Sequence, residues 1–250
     1  MPNTLPESLT FSMAVDREPA VAVLMSGGLD SAVLAVDLLR DHARVFPLYI
    51  RGGLKWEEME LAAVREFLAA VPAPGLEVLT VLEEPLRDIY GPHWSTGADD
   101  VPDAGTPDEA VYLPGRNVLL TVKASVWCRL RHVGALALGC LGSNPFPDST
   151  PGFFHDLESV LSRALGNTPR LIRPFDQYQK RDVVLRGKDL PLHLTFSCID
   201  PVRGIHCGLC NKCAERQQGF RDAGVRDRTR YSASSEPLIR GDGVRILTPH

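Results

Sequence analysis

Two groups of residues in this chain are spaced for chemistry. The first is Ser26-Gly27-Gly28-Leu29-Asp30-Ser31. Glycines let a backbone turn tightly and come close to a ligand. N–H groups exposed at the mouth of a helix favour an anion, phosphate above all. Ser26 and Ser31 add hydroxyl donors. Asp30 is the telling member, because a carboxylate beside a phosphate nest needs a cation, and Mg2+ supplies one. The loop lacks the Gly-Lys-Ser/Thr ending of a Walker loop and the third glycine of a dinucleotide fingerprint. The bland alternative is an ordinary turn of small residues. The second group is Cys198, Cys207, Cys210 and Cys213, spaced C-x8-C-x2-C-x2-C. Four thiolates suit a closed, tetrahedral, structural zinc site. Gly204 and Gly208 permit a tight knuckle, and His206 is read as a bystander. An iron–sulfur cluster, a redox Cys-x-x-Cys pair and four free core cysteines are the rival readings.

The elements that must position these residues follow from hydrophobic patterning. Val21 to Met25 is a short apolar run that suits a buried parallel strand. It feeds the glycine loop, and helical spacing follows from Ala32 to Arg40. Further strands are expected at Val45–Ile50, Leu76–Leu82, Gly134–Leu138 and Arg170–Arg173. Helices are expected at Trp56–Ala70, Val118–Leu130, Phe153–Leu165 and from Lys180 to Arg186. The first turn of the Trp56–Ala70 helix carries Glu57, Glu58 and Glu60, where the helix dipole favours acids. Such alternation implies an α/β fold with a doubly wound parallel sheet. Residues 91–111 read as a long lid or binding loop. The expected division is an N-terminal arm (1–20), an α/β domain carrying the glycine loop (21–192), a four-cysteine knuckle (193–220) and an Arg-rich tail (221–250).

Composition narrows the function classes. The chain has 250 residues, with 27 Lys plus Arg against 31 Asp plus Glu, a formal net charge of −4. That balance disfavours a general nucleic-acid clamp. No stretch approaches the roughly 20 apolar residues of a membrane helix. The first 20 residues lack the pattern of a signal peptide. A cytoplasmic protein is expected, and in a reducing compartment clustered cysteines point to metal rather than disulfides. Cys128 reads as a core residue. Cys140 follows a strand, where ligands bind in open α/β sheets.

The glycine loop resembles that of the pyrophosphate-loop ATPases, which cleave ATP to AMP and pyrophosphate. Together with Val111-Tyr112-Leu113-Pro114-Gly115-Arg116-Asn117 and the cysteine knuckle, flanked by Thr195-Phe196-Ser197 and by Arg216 and Gly219-Phe220, it resembles the 7-cyano-7-deazaguanine synthase (QueC) family over about residues 21 to 220. The resemblance implies adenylylation of 7-carboxy-7-deazaguanine by ATP and displacement of AMP by ammonia. A second activation then dehydrates the amide to the nitrile. It implies that Ser26, Gly27, Gly28, Leu29, Asp30 and Ser31 hold pyrophosphate and Mg2+. Arg116 would bind phosphate or the substrate carboxylate, unless it only caps a loop. Asn117 would cap the next helix or, equally, take a ligand role. Lys180 would reach an ATP phosphate, with a solvated lysine as the alternative. Phe146-Pro147-Asp148-Ser149 matches the family's Tyr-Pro-Asp-Cys element. Phe146 would line the substrate site and Asp148 would accept hydrogen bonds from a deazapurine edge. The family also implies a homodimer.

Two departures touch substrate-facing loops. Arg51-Gly52-Gly53-Leu54-Lys55 stands where the family reads Tyr-Gly-Gln-Arg-His, and Gly142-Ser143-Asn144-Pro145 is shortened. A divergent member would join a related acid to another amine, even one on a protein. No glutaminase motif is visible, so ammonia would come from solution or a partner. A tRNA thiolation enzyme is a second reading, opposed by the net charge. A non-catalytic nucleotide-binding module is a third, opposed by the intact loop with Asp30.

Overall fold

A computed structural model describes residues 19–98 and 100–233. Most of the expected N-terminal arm and the end of the tail therefore lie outside the described residues. Five parallel strands form one sheet: β1 (Val21–Met25), β2 (Val45–Arg51), β3 (Thr80–Glu83), β4 (Ala135–Ala137) and β5 (Arg170–Ile172). Their order is β3-β2-β1-β4-β5. The central strand β1 pairs Val21 with Val45 on one side and with Ala135 on the other. The chain winds outward through β2 and β3, then crosses back to β4 and β5. The reversal opens a crevice beyond the C-terminal ends of β1 and β4, where open α/β sheets bind ligands.

The helices are α1 (Leu29–Asp37), α2 (Glu57–Ala70), α3 (Arg87–Tyr90), α4 (Arg116–Leu130), α5 (Pro151–Leu165), α6 (Lys180–Arg186) and α7 (Asn211–Ala223). Strand side chains alternate between two cores. Val21 and Val23 join Leu34, Val64, Phe175 and Val183 on one face. Ala22 joins Leu48, Ala124, Cys128 and Leu136 on the other, so Cys128 is a core residue. A third cluster lies past the strand ends, where Trp56, Leu113, Phe196 and the four knuckle cysteines pack together.

Several boundaries differ from the sequence reading for physical reasons. Helix α1 begins at Leu29, so Asp30 and Ser31 belong to its first turn rather than to the loop. Strand β3 is confined to Thr80–Glu83, because upstream of it the chain touches β2 only at the Val45–Leu76 bridge. The segment read as a lid or binding loop is anchored to the knuckle at two points: Ala104 N–H donates to Leu209 C=O at 2.9 Å, and Asn211 N–H donates to Pro102 C=O at 3.0 Å. Helix α7 was not anticipated, since its sequence is polar and interrupted by a metal-ligand pattern. Beyond it an extended strap returns along the knuckle, with Ser232 N–H donating to His206 C=O at 2.8 Å.

Candidate active site

The crevice holds a cavity of about 240 Å3 lined by the glycine loop, the 111–117 element, the 143–148 loop, Lys180 and residues flanking the knuckle cysteines. Its floor is the turn from β1 into α1. Gly27 has φ +74°, and a Cβ there would lie 3.1 Å from Glu60 of α2. Only glycine suits both the conformation and the close approach. Ser31 Oγ accepts from Ser26 N–H at 3.1 Å and closes the turn. Helix α1 has no side-chain cap, since Gly28 stands at the N-cap. Its first N–H groups are thus open to an anion.

Asp30 is reached from the far end of the chain. Lys180, the first residue of α6, places Nζ 2.6 Å from Asp30 Oδ2 and 2.9 Å from Glu215 Oε1 of α7. Lys212 Nζ adds a contact to Glu215 Oε2 at 2.7 Å. Burial raises the Asp30 carboxyl pKa against the pull of Lys180. Burial likewise opposes the Lys180 charge, but Asp30 and Glu215 outweigh it and hold the ammonium above the usual lysine range. Glu215 is also opposed by burial, yet Lys180 and Lys212 bring it down to about 2. Asp30 Oδ1 is buried with no partner. A buried carboxylate oxygen left bare is costly, and its chemistry fits a cation such as Mg2+.

Opposite this chain of charges stand Arg116 and Glu60. Arg116 opens α4, and its Nε is buried without a partner. Glu60 accepts from Tyr49 Oη–H at 2.9 Å and from Trp56 Nε1–H at 3.0 Å. An aromatic wall completes the cavity: Trp56 stacks on Trp94 at 5.7 Å, and Tyr112 meets Phe146 at 5.2 Å. Aromatic side chains lining a cavity suit a flat heterocycle.

Asp148 is buried at the cavity's edge. It accepts from Asn117 N–H at 3.2 Å and from Asn117 Nδ2–H at 3.1 Å. Asn117 is therefore not the cap of α4. Gly115 occupies the N-cap position, and the acceptor for the helix's open N–H comes from Asp148, 31 residues on. Each Asp148 oxygen keeps a lone pair. Burial raises its pKa, opposed by the Asn117 bonds. Cys140 follows β4 as expected, but burial pushes its thiol up to about 11, so it is not an activated nucleophile.

The four cysteines converge. Their Sγ atoms all lie within 4.8 Å of one another, with Cys198–Cys210 and Cys207–Cys213 each at 3.9 Å. A tetrahedral ion with Zn–S near 2.3 Å requires S···S of about 3.8 Å. Backbone N–H groups of Cys207 and Asp200 donate to Cys198 Sγ at 3.2 and 3.3 Å, as suits thiolates. His206 is not part of the set: its Nε2 accepts from Ser197 N–H at 3.1 Å. The knuckle is tied to the glycine turn directly, because Phe196 N–H donates to Gly27 C=O at 2.7 Å. Arg216, 1% exposed, braces that tie by donating to Leu192 C=O, Thr195 Oγ1, Ser197 Oγ and Thr229 Oγ1.

The sequence reading missed Glu60, Lys212, Glu215 and the structural work of Arg216. Lys212 and Glu215 sit among the cysteines, where no helix was expected. Glu60 had a signal: it shares a helical face with the apolar Val64 and Phe67, four and seven residues on, so that face turns inward.

Comparison with known proteins places this geometry. Residues 20–224 match the family model for queuosine biosynthesis protein QueC. A 7-cyano-7-deazaguanine synthase of Syntrophobacter fumaroxidans is 30% identical over 240 residues, covering 88% of this chain and 99% of the relative. Another from Methanopyrus kandleri is 33% identical over 226 residues, covering 84% of this chain and 97% of the relative. Among solved structures, the U34-tRNA thiolase NcsA of Methanococcus maripaludis with its [4Fe-4S] cluster aligns with a TM-score of 0.48 at 14% identity, over 85% of this chain and 75% of that one.

Proposed function

This chain belongs to the QueC family, and on that premise we propose that it is an ATP-dependent carbon–nitrogen ligase converting 7-carboxy-7-deazaguanine and ammonia to 7-cyano-7-deazaguanine. The observation that carries the reading is one cavity in which an uncapped glycine turn, the Asp30–Lys180 pair and an aromatic lining meet.

The residues divide the work by their chemistry. Ser26, Gly27, Gly28, Leu29 and Ser31 hold the pyrophosphate of ATP with backbone and hydroxyl donors. Asp30 offers its bare Oδ1 to Mg2+, which neutralises phosphate charge when bound. Lys180 and the open N–H groups of α1 stabilise the charge that gathers as pyrophosphate departs. Arg116 orients the substrate carboxylate beside that phosphate. Phe146, with Tyr112 and Trp56, flanks the flat ring. Asp148 accepts from its N–H edge with the lone pairs that Asn117 leaves. Cys198, Cys207, Cys210 and Cys213 would hold Zn2+ with four thiolates, a closed set whose contribution would be structural. Ammonia attacks the activated acyl carbon, and a second activation removes the amide oxygen. The enzyme acts in the cytoplasm as a homodimer.

The test is mass spectrometry of one reaction: the protein with Mg2+, ATP, ammonium and 7-carboxy-7-deazaguanine. The cyano product together with AMP is the expected result. An untouched acid overturns the reading. A second reading, in which the acid is joined to a different amine, such as one on a protein, rests on the departure of Arg51-Gly52-Gly53-Leu54-Lys55 from the family's pattern. The loop after β2 is built around Glu57, which accepts from Gly52 and Gly53 N–H, and is anchored by a Lys55–Asp200 pair at 2.8 Å. A protein adduct or an amide of an amine other than ammonia would establish it, whereas the primary amide alone would mark a ligase that stops half-way.

A further inference from the structure

Glu60 is a buried acid, 9% exposed, that faces the cavity. Two donors from different segments fix it: Trp56 Nε1–H at 3.0 Å on Oε1 and Tyr49 Oη–H at 2.9 Å on Oε2. Each oxygen retains a lone pair for a further donor. Its backbone is pressed against Gly27, so its position is registered to the glycine turn.

Arg116 lines the same cavity with Nε buried and unpartnered, and among the described residues no ion pair within 4 Å joins it to Glu60. A cation and an acid that share a cavity without meeting leave room for a group of matching polarity. That group accepts toward Arg116 and donates toward Glu60. A carbonyl carbon bearing an oxygen and an incoming N–H has this polarity.

Resting on the ligase reading above, we propose that Glu60 takes the proton from the amine as it attacks the activated acyl group beside Arg116. The nitrogen lone pair forms the C–N bond. The C–O bond to AMP breaks, and AMP leaves with the bonding pair. One N–H proton passes to Glu60, which then returns it to solvent. With ammonia the products are the primary amide, AMP and one proton.

The other acids of the cavity have partners of their own, and the reading above gives Asp30 to a cation and Asp148 to the ring edge. Asp30 is paired with Lys180, Glu215 with two lysines, Asp148 with Asn117, and Asp108 accepts from Asn211 Nδ2–H at 3.2 Å. Burial brings the Glu60 carboxyl up to about 7. Arg116 from α4, Tyr49 from β2 and Trp56 draw it down, and Glu57 on its own helix pushes it up. A base of that strength is matched to neutral pH.

The experiment compares Glu60→Gln with the wild-type chain in two assays. One is acid-dependent exchange of pyrophosphate into ATP, which reads adenylylation. The other is amide formation with ammonium. The expected result is a fall of about 100-fold in the ratio of amide formation to exchange. Hydroxylamine, a stronger nucleophile largely unprotonated at neutral pH, restores part of that ratio. Parallel loss of exchange and amide formation, or an unchanged ratio, overturns the role of Glu60. If the variant does not fold, the wild-type chain decides through its rate with hydroxylamine. A rising limb near pH 7 in that rate, absent from exchange, supports the proposal, and identical pH profiles overturn it. No pyrophosphate exchange in a folded wild-type chain overturns the ligase reading itself.

Discussion

Lys180 Nζ stands 2.6 Å from Asp30 Oδ2, although 150 residues separate them. The pair joins the start of α1 to the start of α6 across the crevice. It also sets the order of effects on mutation. Asp30→Ala removes the carboxylate proposed for Mg2+ but leaves Lys180 paired with Glu215 at 2.9 Å. We expect AMP and pyrophosphate formation to fall below detection while the circular dichroism spectrum is retained. Turnover at the wild-type rate would refute the assignment of the loop.

Loss of one knuckle thiolate should cost folding rather than one chemical step, because metal binding and folding are coupled. Cys210→Ser, or strong chelation of the wild-type chain, is expected to lower Tm and to weaken ATP binding together. The link is Phe196 N–H on Gly27 C=O at 2.7 Å. Metal analysis should find zinc near one ion per chain, and a colourless protein. A brown protein containing iron would assign the cluster instead. A metal-free variant of full stability would refute a structural metal.

Glu60 gives stability a pH dependence of definite sign. Its folded pKa is raised from 4.5 to about 7, so the native state binds more protons between those values. Its contribution is full below about 4.5 and is lost as pH rises through about 7. Gln keeps a neutral amide there at every pH. Glu60→Gln should therefore raise Tm relative to wild type at pH 8, with the gap closing toward pH 5. A gap that does not change with pH would contradict the burial of this charge.

Asp148 has a measurable structural role besides any substrate role. Asp148→Ala removes the acceptor for Asn117 N–H at the start of α4. Loss of such a cap costs about 1 kcal/mol, or roughly 2–4 °C in Tm for a domain of this size. Asp148→Asn retains an oxygen acceptor and should restore most of that loss while weakening the deazapurine acid. ATP affinity should be spared in both variants. Equal loss of acid and ATP binding would exclude a base-edge role.

The local pattern carried much of the fold. Val21 to Met25 is too short and too apolar for anything but a buried strand, and glycine at 27 and 28 followed by a helical period dictates a tight strand–helix turn. Four cysteines at close spacing can reach one another whatever surrounds them, so their convergence was legible too. Those features depend on neighbours within about fifteen residues.

What only the tertiary structure decided are the partnerships over long separations. Sequence spacing does not reveal that Lys180 meets Asp30, that Asp148 caps α4, or that Arg216 braces the segment beside Gly27. These pairings arise because the strand order reverses between β1 and β4 and gathers the ends of distant elements at one crevice. The same reversal turns Glu60, an ordinary first-turn acid in the sequence, into a buried carboxyl near neutrality. Periodicity records which side of a helix faces inward. Only the packing of α2 against the glycine turn determines that this inward side meets a cavity rather than a core.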